Sequence, residues 1–430
     1  MREQAEGVVV DMDGERWRKA LEYRWDNRQR TNVLAASQKN ALLILCNDAA
    51  FKGCWRYDEF RRKVTLCRTL PPVPGLDTPE PGPIEDHMLI YLVAALHQVC
   101  GLSFGRDGLA HAVEGAAAQD PYNSLTDYLD SLTWDGVERI HGWLYTYLGA
   151  EHTSYTSAVG RWWLISCMAR AYRPGCQADH MLVLEGRQGA GKSTAARVLG
   201  GKMFLPKLPN LRDYDRAAHA LSGVWIVEVG ELDALRGAAA TQAKDFISMT
   251  SDAYRAPYAR YGCTVPRTCI FVGTTNEDGY LGDPTGARRY HPIRVGAVGA
   301  VDTKRLERDR EQLLAEARSA FERGEEWWPD KEHEEEIEAQ QEERYRADEW
   351  EAVISRWLEG CRSVRDGVTV GDVLLGAFEM SAEKWDDISQ KRVGIAMKRL
   401  GWRMERRREG GVKVRRYFRA AGPWTDRAED

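Results

Sequence analysis

HMLVLEGRQGAGKSTAARVLG, residues 180–200, joins an apolar run to a helix-forming run through a glycine-rich turn. HMLVLE has the length and continuity of a strand buried on both faces, and KSTAARVLG reads as the helix that follows it. Between them Gly186, Gly191, Lys192 and Ser193 satisfy the spacing GxxxxGK[ST]. Each residue type has a task there. The glycines let backbone N–H groups turn inward around phosphates, the helix N-terminus adds partial positive charge, and Lys192 reaches the β and γ oxygens. The expected cradle is Gly186, Gln188, Gly189, Ala190, Gly191, Lys192, Ser193 and Thr194, with ATP as the ligand and the Ser193 hydroxyl on Mg²⁺. The spacing alone matches unrelated turns; the strand before it and the helix after it make it specific.

Outward from this turn, the runs VWIVEV (224–229), TCIFVGTTN (268–276) and YHPIRV (290–295) have the same short, continuous apolar texture. Separated by helical patterns, they read as further parallel strands of an α/β sheet. Binding nucleotide needs only the loop; hydrolysis needs carboxylates to hold the metal and to orient water. Glu228, at the end of its apolar run, and Glu231 are the candidates, with their two roles undivided. The plainer reading of Glu231 is a helix N-terminal charge. Asn276, ending the next run, suits contact with the γ-phosphate or the water. In DPTGARRY, Arg288 and Arg289 precede the last strand, and one of them fits an arginine finger reaching a neighbouring subunit's nucleotide. The plainer reading is an ordinary salt-bridged pair.

The remaining chain sorts by texture. Residues 1–67 are a mixed α/β region, and 68–86, with six prolines, form a linker or exposed loop. Residues 87–175 are a helical domain, 176–300 the ATPase core and 301–346 an acidic helical connector. In 347–422, three amphipathic helical patterns precede two short strands around Gly410-Gly411, the order of a winged helix-turn-helix. The 430 residues, 43% apolar and 29% charged, suit a multidomain globular protein, and a net charge of −5 requires any nucleic-acid surface to be local. Nine scattered cysteines without CxxC pairs read as reduced thiols. The polar N-terminus lacks a signal-peptide pattern, and the longest apolar stretch, MLIYLVAAL from Met88, is too short for a membrane span, so a cytoplasmic protein with no membrane partner is expected.

Together these blocks resemble the virulence-associated E proteins, phage- and island-encoded P-loop ATPases similar to superfamily 3 helicases. The resemblance runs through SLTWDGVERI at Ser131, WLYTYLGAE at Trp143, ARAYRPGCQADHMLVLEGRQGAGKST, LSGVWIVEVGELDAL and the segment from AKDFISMTSD to RRYHPIRV. It implies an AAA+-like core that assembles as a homo-oligomeric ring, a hexamer, and translocates on single-stranded or forked DNA during replication of a mobile element. It puts the Walker A residues at 186–194, the acidic motif on Glu228 and Glu231, the sensor on Asn276 and the arginine pair on Arg288 and Arg289. It also makes 244–260 a DNA-contacting insertion. There Lys244, Arg255, Tyr258 and Arg260 combine cations with an aromatic, the ingredients for neutralising a backbone and stacking on a base. Many relatives carry an N-terminal primase domain that the first 120 residues do not match, which makes a separate primase the implied partner.

A second DNA surface is expected at the C-terminus. Between Asp387 and Arg419 there are twelve Lys and Arg against three Asp and Glu. Lys391, Arg392, Lys398 and Arg399 fall on the recognition helix, and Arg407 and Arg415 on the wing. Three functions compete: an ATP-driven ring helicase, an ATP-switched origin-binding or helicase-loading protein, and a small-molecule kinase that shares only the P-loop. The paired arginines and the basic tail argue against the kinase.

Overall fold

A computed structural model describes residues 16–230, 244–255, 261–277, 279–281, 287–345, 348–360, 367–409 and 412–419. Glu231, Tyr258 and Arg260 lie outside the described residues. The chain divides into two compact units, one built from residues 1–234, 241–277 and 288–340, the other from 235–240, 278–287 and 341–430.

The first unit begins with an antiparallel hairpin of β1 (Tyr23–Asp26) and β2 (Thr31–Leu34). β3 (Trp55–Asp58), β4 (Lys63–Leu66), β5 (Gly82–Pro83) and β6 (Pro121–Tyr122) form a small sheet in the order β5-β4-β3-β6. Helices Gln38–Asn47, Asp86–Cys100 and Arg106–Ala118 pack with it around Ile44, Leu45, Trp55, Leu66, Leu92, Leu96 and Val113. Helices and short strands therefore share this N-terminal region. Strands of two to four residues are too short for a period-2 signal to stand out in sequence. One core spans both sides of the proline-rich stretch, so that stretch does not separate two cores. Prolines limit its ladder to β5 at its end, which pairs with β4, and other polar groups of the stretch pair with a side chain. The Tyr91 hydroxyl accepts from the Val73 N–H at 3.0 Å and donates to the Pro71 carbonyl at 3.0 Å.

The second core of this unit surrounds a five-stranded parallel sheet. Its strands are β7 (Met181–Glu185), β8 (Phe204–Leu205), β9 (Ile226–Gly230), β12 (Ile270–Thr275) and β13 (Tyr290–Arg294), in the order β13-β7-β12-β9-β8. Every residue of β7 and β12 is buried, as the unbroken apolar runs require. Helix Ser154–Tyr172 is apolar on nearly all sides and lies within the core, where Trp163 Nε1 donates to the Phe271 carbonyl at 3.1 Å. Helix Thr303–Glu322 packs on the same core through Leu306, Leu313, Leu314 and Ala317. Between β9 and β12 in sequence, β10 (Ser251–Tyr254) and β11 (Cys263–Pro266) form a separate antiparallel hairpin.

The second unit contains helices Glu349–Gly360, Val370–Phe378 and Asp387–Arg399, followed by the antiparallel pair β14 (Trp402–Glu409) and β15 (Val412–Arg419). Ile354, Val373, Leu374, Val393, Met397, Trp402 and Tyr417 form its core. Thr369 and Asp372 cap the second helix reciprocally. No described helix is long and apolar enough to cross a membrane.

Candidate functional site

The loop after β7 turns through Gly186, Gly189 and Gly191 at φ of +148°, +78° and +87°, backbone that side chains rarely tolerate. A Cβ on Gly191 would also stand 3.2 Å from a methyl of Val301. The loop delivers Lys192 and Ser193 to the first turn of helix Lys192–Gly200. It sits at the carboxyl ends of the strands, beside the crevice where parallel α/β sheets bind ligands. Residues 188–194 line a cleft of about 340 Å³ with Glu228, Gly230, Thr274, Thr275 and Asn276.

Inside the cleft two hydrogen-bonded groups meet. Lys192 Nζ donates to the Gly186 carbonyl at 2.7 Å, the Arg187 carbonyl at 2.9 Å and Asn276 Oδ1 at 2.9 Å. Burial lowers the Lys192 pKa, against a smaller opposing pull from Glu228. Ser193 Oγ donates to Glu228 Oε1 at 2.5 Å, and Thr274 Oγ1 donates to the same oxygen at 2.8 Å. Glu228 is only 4% exposed and occupies the middle of β9 rather than its end, level with Leu182 through the intervening Val272. Thr274 was not anticipated from sequence, because a threonine inside an apolar strand reads as a β-former.

Arg288 and Arg289 are not brought to this cleft. They end a helical turn just before β13, whose register sets Tyr290 opposite Met181 and Arg294 opposite Glu185. The pair therefore lies at the amino edge of the sheet, six residue steps or roughly 20 Å from the level of the loop. Arg288 is exposed, whereas Arg289 Nε donates to Ser248 Oγ at 2.7 Å.

The β10–β11 hairpin is fixed at its base by a buried ion pair absent from the sequence reading. Arg267 is 2% exposed; its Nε donates to Asp252 Oδ2 at 2.9 Å, and its other nitrogens reach Asp252 Oδ1 and the Phe246 carbonyl. Arg170 in turn donates to the Arg267 carbonyl at 3.2 Å. Arg255 directly follows β10 and Tyr261 stands two residues before β11, where it is 83% exposed. Lys244 departs from the expected DNA contact: it is buried, on a helical turn whose carbonyl accepts from Ser248 Oγ at 2.9 Å.

In the second unit the basic residues separate into two kinds. Arg392 forms a double hydrogen bond with Asp348 at 2.6 and 2.7 Å and lies over the Trp350 ring at 4.3 Å. Arg399 pairs with Glu342 at 2.6 Å and covers Tyr345 at 3.4 Å. These two were expected to meet DNA, but their guanidinium groups hold protein together instead. Lys391, Lys398 and Arg415 are exposed along a groove of about 1210 Å³ between helix Asp387–Arg399 and the β14–β15 pair. Arg407 is exposed on β14, stacked over Phe418 at 4.0 Å and 3.2 Å from Glu405.

The sequence profile of the virulence-associated protein E-like domain matches residues 129–346, slightly over half of the chain. Two structures of the NrS-1 C-terminal region are similar. One is 11% identical, covering 90% of this chain and 100% of that one with a TM-score of 0.46; the other is 10% identical, covering 85% and 96% with 0.44. The Aeropyrum pernix ORC1 protein in complex with DNA is 14% identical over 63% of this chain and 90% of that one, with a TM-score of 0.20. No curated protein matches the chain.

Proposed function

Because the chain belongs to the virulence-associated protein E-like family, we propose that it hydrolyses ATP in the cleft above its parallel sheet and uses that cycle to move on DNA during replication of a phage or other mobile element. One observation carries the reading: Lys192, Ser193, Glu228, Thr274 and Asn276, from a helix start and two strands, converge on a single glycine-lined cleft.

The cleft suits magnesium and a nucleotide triphosphate. Lys192 rests on neutral oxygens rather than on a carboxylate, so its charge remains for an anionic ligand. Ser193 and Glu228 present adjacent oxygens of the kind a hard cation takes. Magnesium, when bound, neutralises phosphate charge. Glu228 orients the Ser193 hydroxyl, Thr274 holds Glu228, and Asn276 links the end of β12 to Lys192, so occupancy of the loop is felt at that strand. Arg288, at the far edge of the sheet, acts on the nucleotide of an adjacent subunit, which makes a ring the working form of an AAA+-like ATPase. The β10–β11 hairpin grips single-stranded DNA through Arg255 and Tyr261. The C-terminal unit acts as a winged-helix module through Lys391, Lys398, Arg407 and Arg415, and primer synthesis falls to a separate protein.

The test measures ATP hydrolysis and strand separation on a forked duplex, for the natural protein and for Lys192→Ala. Unwinding that requires Lys192 supports the motor. ATP hydrolysis indifferent to DNA, with no strand separation, refutes it; sequence-specific duplex binding in that case identifies an ATP-switched origin-binding or loading protein.

A further inference from the structure

The β1–β2 hairpin is anchored at its base and solvated along its length. At the base, Asn40 is fully buried and spends its amide on both strands. Its Oδ1 accepts from the Glu22 N–H at 2.9 Å, and its Nδ2 donates to the Glu22 and Ala35 carbonyls, each at 2.8 Å. Leu21 and Leu34 pack against the neighbouring core. At the tip, Asp26 Oδ1 accepts from the N–H groups of Arg28 at 2.7 Å and Gln29 at 3.1 Å, while Arg30 takes a left-handed conformation at φ +52°. Both ends of the hairpin are thus held by side chains, and what lies between is positioned before any partner arrives.

Between those ends the hairpin exposes two large aromatic side chains. Tyr23 is 59% exposed and Trp25 60%, and as alternate residues of one strand they share a face. Neither packs on a described ring. Their Cα atoms stand about 6.8 Å apart, from a rise of about 3.4 Å per residue. That is twice the roughly 3.4 Å spacing of stacked bases, the gap that one intervening base fills. Arg28 and Arg30 at the tip are exposed, and their guanidinium groups make no ion pair among the described residues. Arg24 points to the opposite face of β1.

We propose that this hairpin is a second contact for single-stranded nucleic acid, in which an unpaired base inserts between Tyr23 and Trp25 while Arg28 and Arg30 neutralise adjacent phosphates. Bases inside a duplex are already stacked on both sides, so the ring pair selects unpaired strands. The cations at the tip give the aromatic face an anionic partner rather than a second apolar surface. The inference needs no nucleotide hydrolysis and stands apart from the proposed motor.

The experiment uses the full chain without nucleotide and a fluorescein-labelled oligo(dT) strand, followed by anisotropy across a salt series. Tyr23→Ala with Trp25→Ala weakens binding roughly ten-fold, as for loss of one stacked base, with the salt slope unchanged. Arg28→Ala with Arg30→Ala lowers the slope by about 1.4, from about 0.7 for each phosphate contact on a single strand. Tyr23→Phe with Trp25→Phe keeps the rings and keeps the affinity. An oligonucleotide carrying 5-iododeoxyuridine cross-links to the peptide containing Tyr23 and Trp25 in the natural protein, a readout that needs no variant to fold. Unchanged affinity and slope in both pairs of variants overturns the proposal. So does equal weakening on a blunt duplex, or cross-linking confined to other peptides such as that of Tyr261.

Discussion

Replacing Arg267 by Met removes the guanidinium that closes the base of the β10–β11 hairpin, and its consequences follow from what is left behind. Arg267 and Asp252 are both buried, and the pair exchanges two hydrogen bonds. Without Arg267, the Asp252 carboxylate keeps among the described residues a long contact from the Tyr214 hydroxyl at 3.4 Å. The Phe246 carbonyl loses a donor as well, although methionine refills most of the apolar volume beside Phe246 and Phe271. Stranding one member of a buried pair costs about 3–5 kcal/mol. An unfolding entropy of about 2.1 cal/mol/K per residue over a unit of roughly 320 residues gives about 1.5 °C per kcal/mol, so the melting temperature falls by roughly 4–7 °C. Adding Asp252→Leu removes the stranded charge and recovers most of that loss, since an apolar replacement of a buried pair is often neutral. Denaturant melts of the natural protein, both single variants and the double variant supply the cycle. Binding of a fluorescent ATP analogue and of single-stranded DNA assigns the functional cost, which falls on DNA because the P-loop is untouched. A single variant within about 1 kcal/mol of the natural protein, or a double variant no more stable than Arg267→Met alone, refutes the reasoning.

Three further outcomes are expected. Glu228→Gln keeps an oxygen for Thr274 and Ser193 but loses the charge, so nucleotide binding survives while turnover falls about a hundred-fold or more, measured as phosphate release. Arg288→Ala and Lys192→Ala are each inactive alone, yet mixing them restores part of the hydrolysis if the arginine acts between subunits; no recovery over a range of mixing ratios rejects that arrangement. Asp135 has its pKa lowered to about 2, first by its hydrogen bonds with Arg139 and then by the Val137 N–H. Because the folded value lies below the ordinary one, its stabilisation is complete above about pH 4 and fades as pH falls through 2. Asp135→Asn therefore flattens the acid limb of a stability profile in that window, and an unchanged limb rejects the assignment.

The parts of the site that sequence revealed are those set by short covalent spacing. Gly186 to Ser193 must form a turn between strand and helix wherever the rest of the chain lies, so their relation survives without a structure. Thr274 and the Arg267–Asp252 pair were invisible for the opposite reason: their residue types are common, and their meaning arises from contacts across 46 and 15 positions. Charge counting erred in a consistent direction. Lys244, Arg392 and Arg399 were assigned to DNA from their charge and their place in a basic insertion or on a basic helix, whereas one is buried and two are paired with carboxylates and rings. A count registers how many cations there are; only packing reveals which retain an unpaired charge.

Sequence by itself determined that a parallel α/β sheet carries a glycine-rich loop between a strand and a helix, because continuous apolar runs and a glycine spacing are local properties of the chain. Tertiary structure decided the rest. Strand order put β12 between the loop strand and the acidic strand, bringing Asn276 to Lys192 and Thr274 to Glu228. The same register carried Arg288 to the far edge of the sheet, beyond reach of its own cleft. The physical reason is that side chains extend only a few ångströms, while the order in which strands pair is settled by the burial of both sheet faces as a whole.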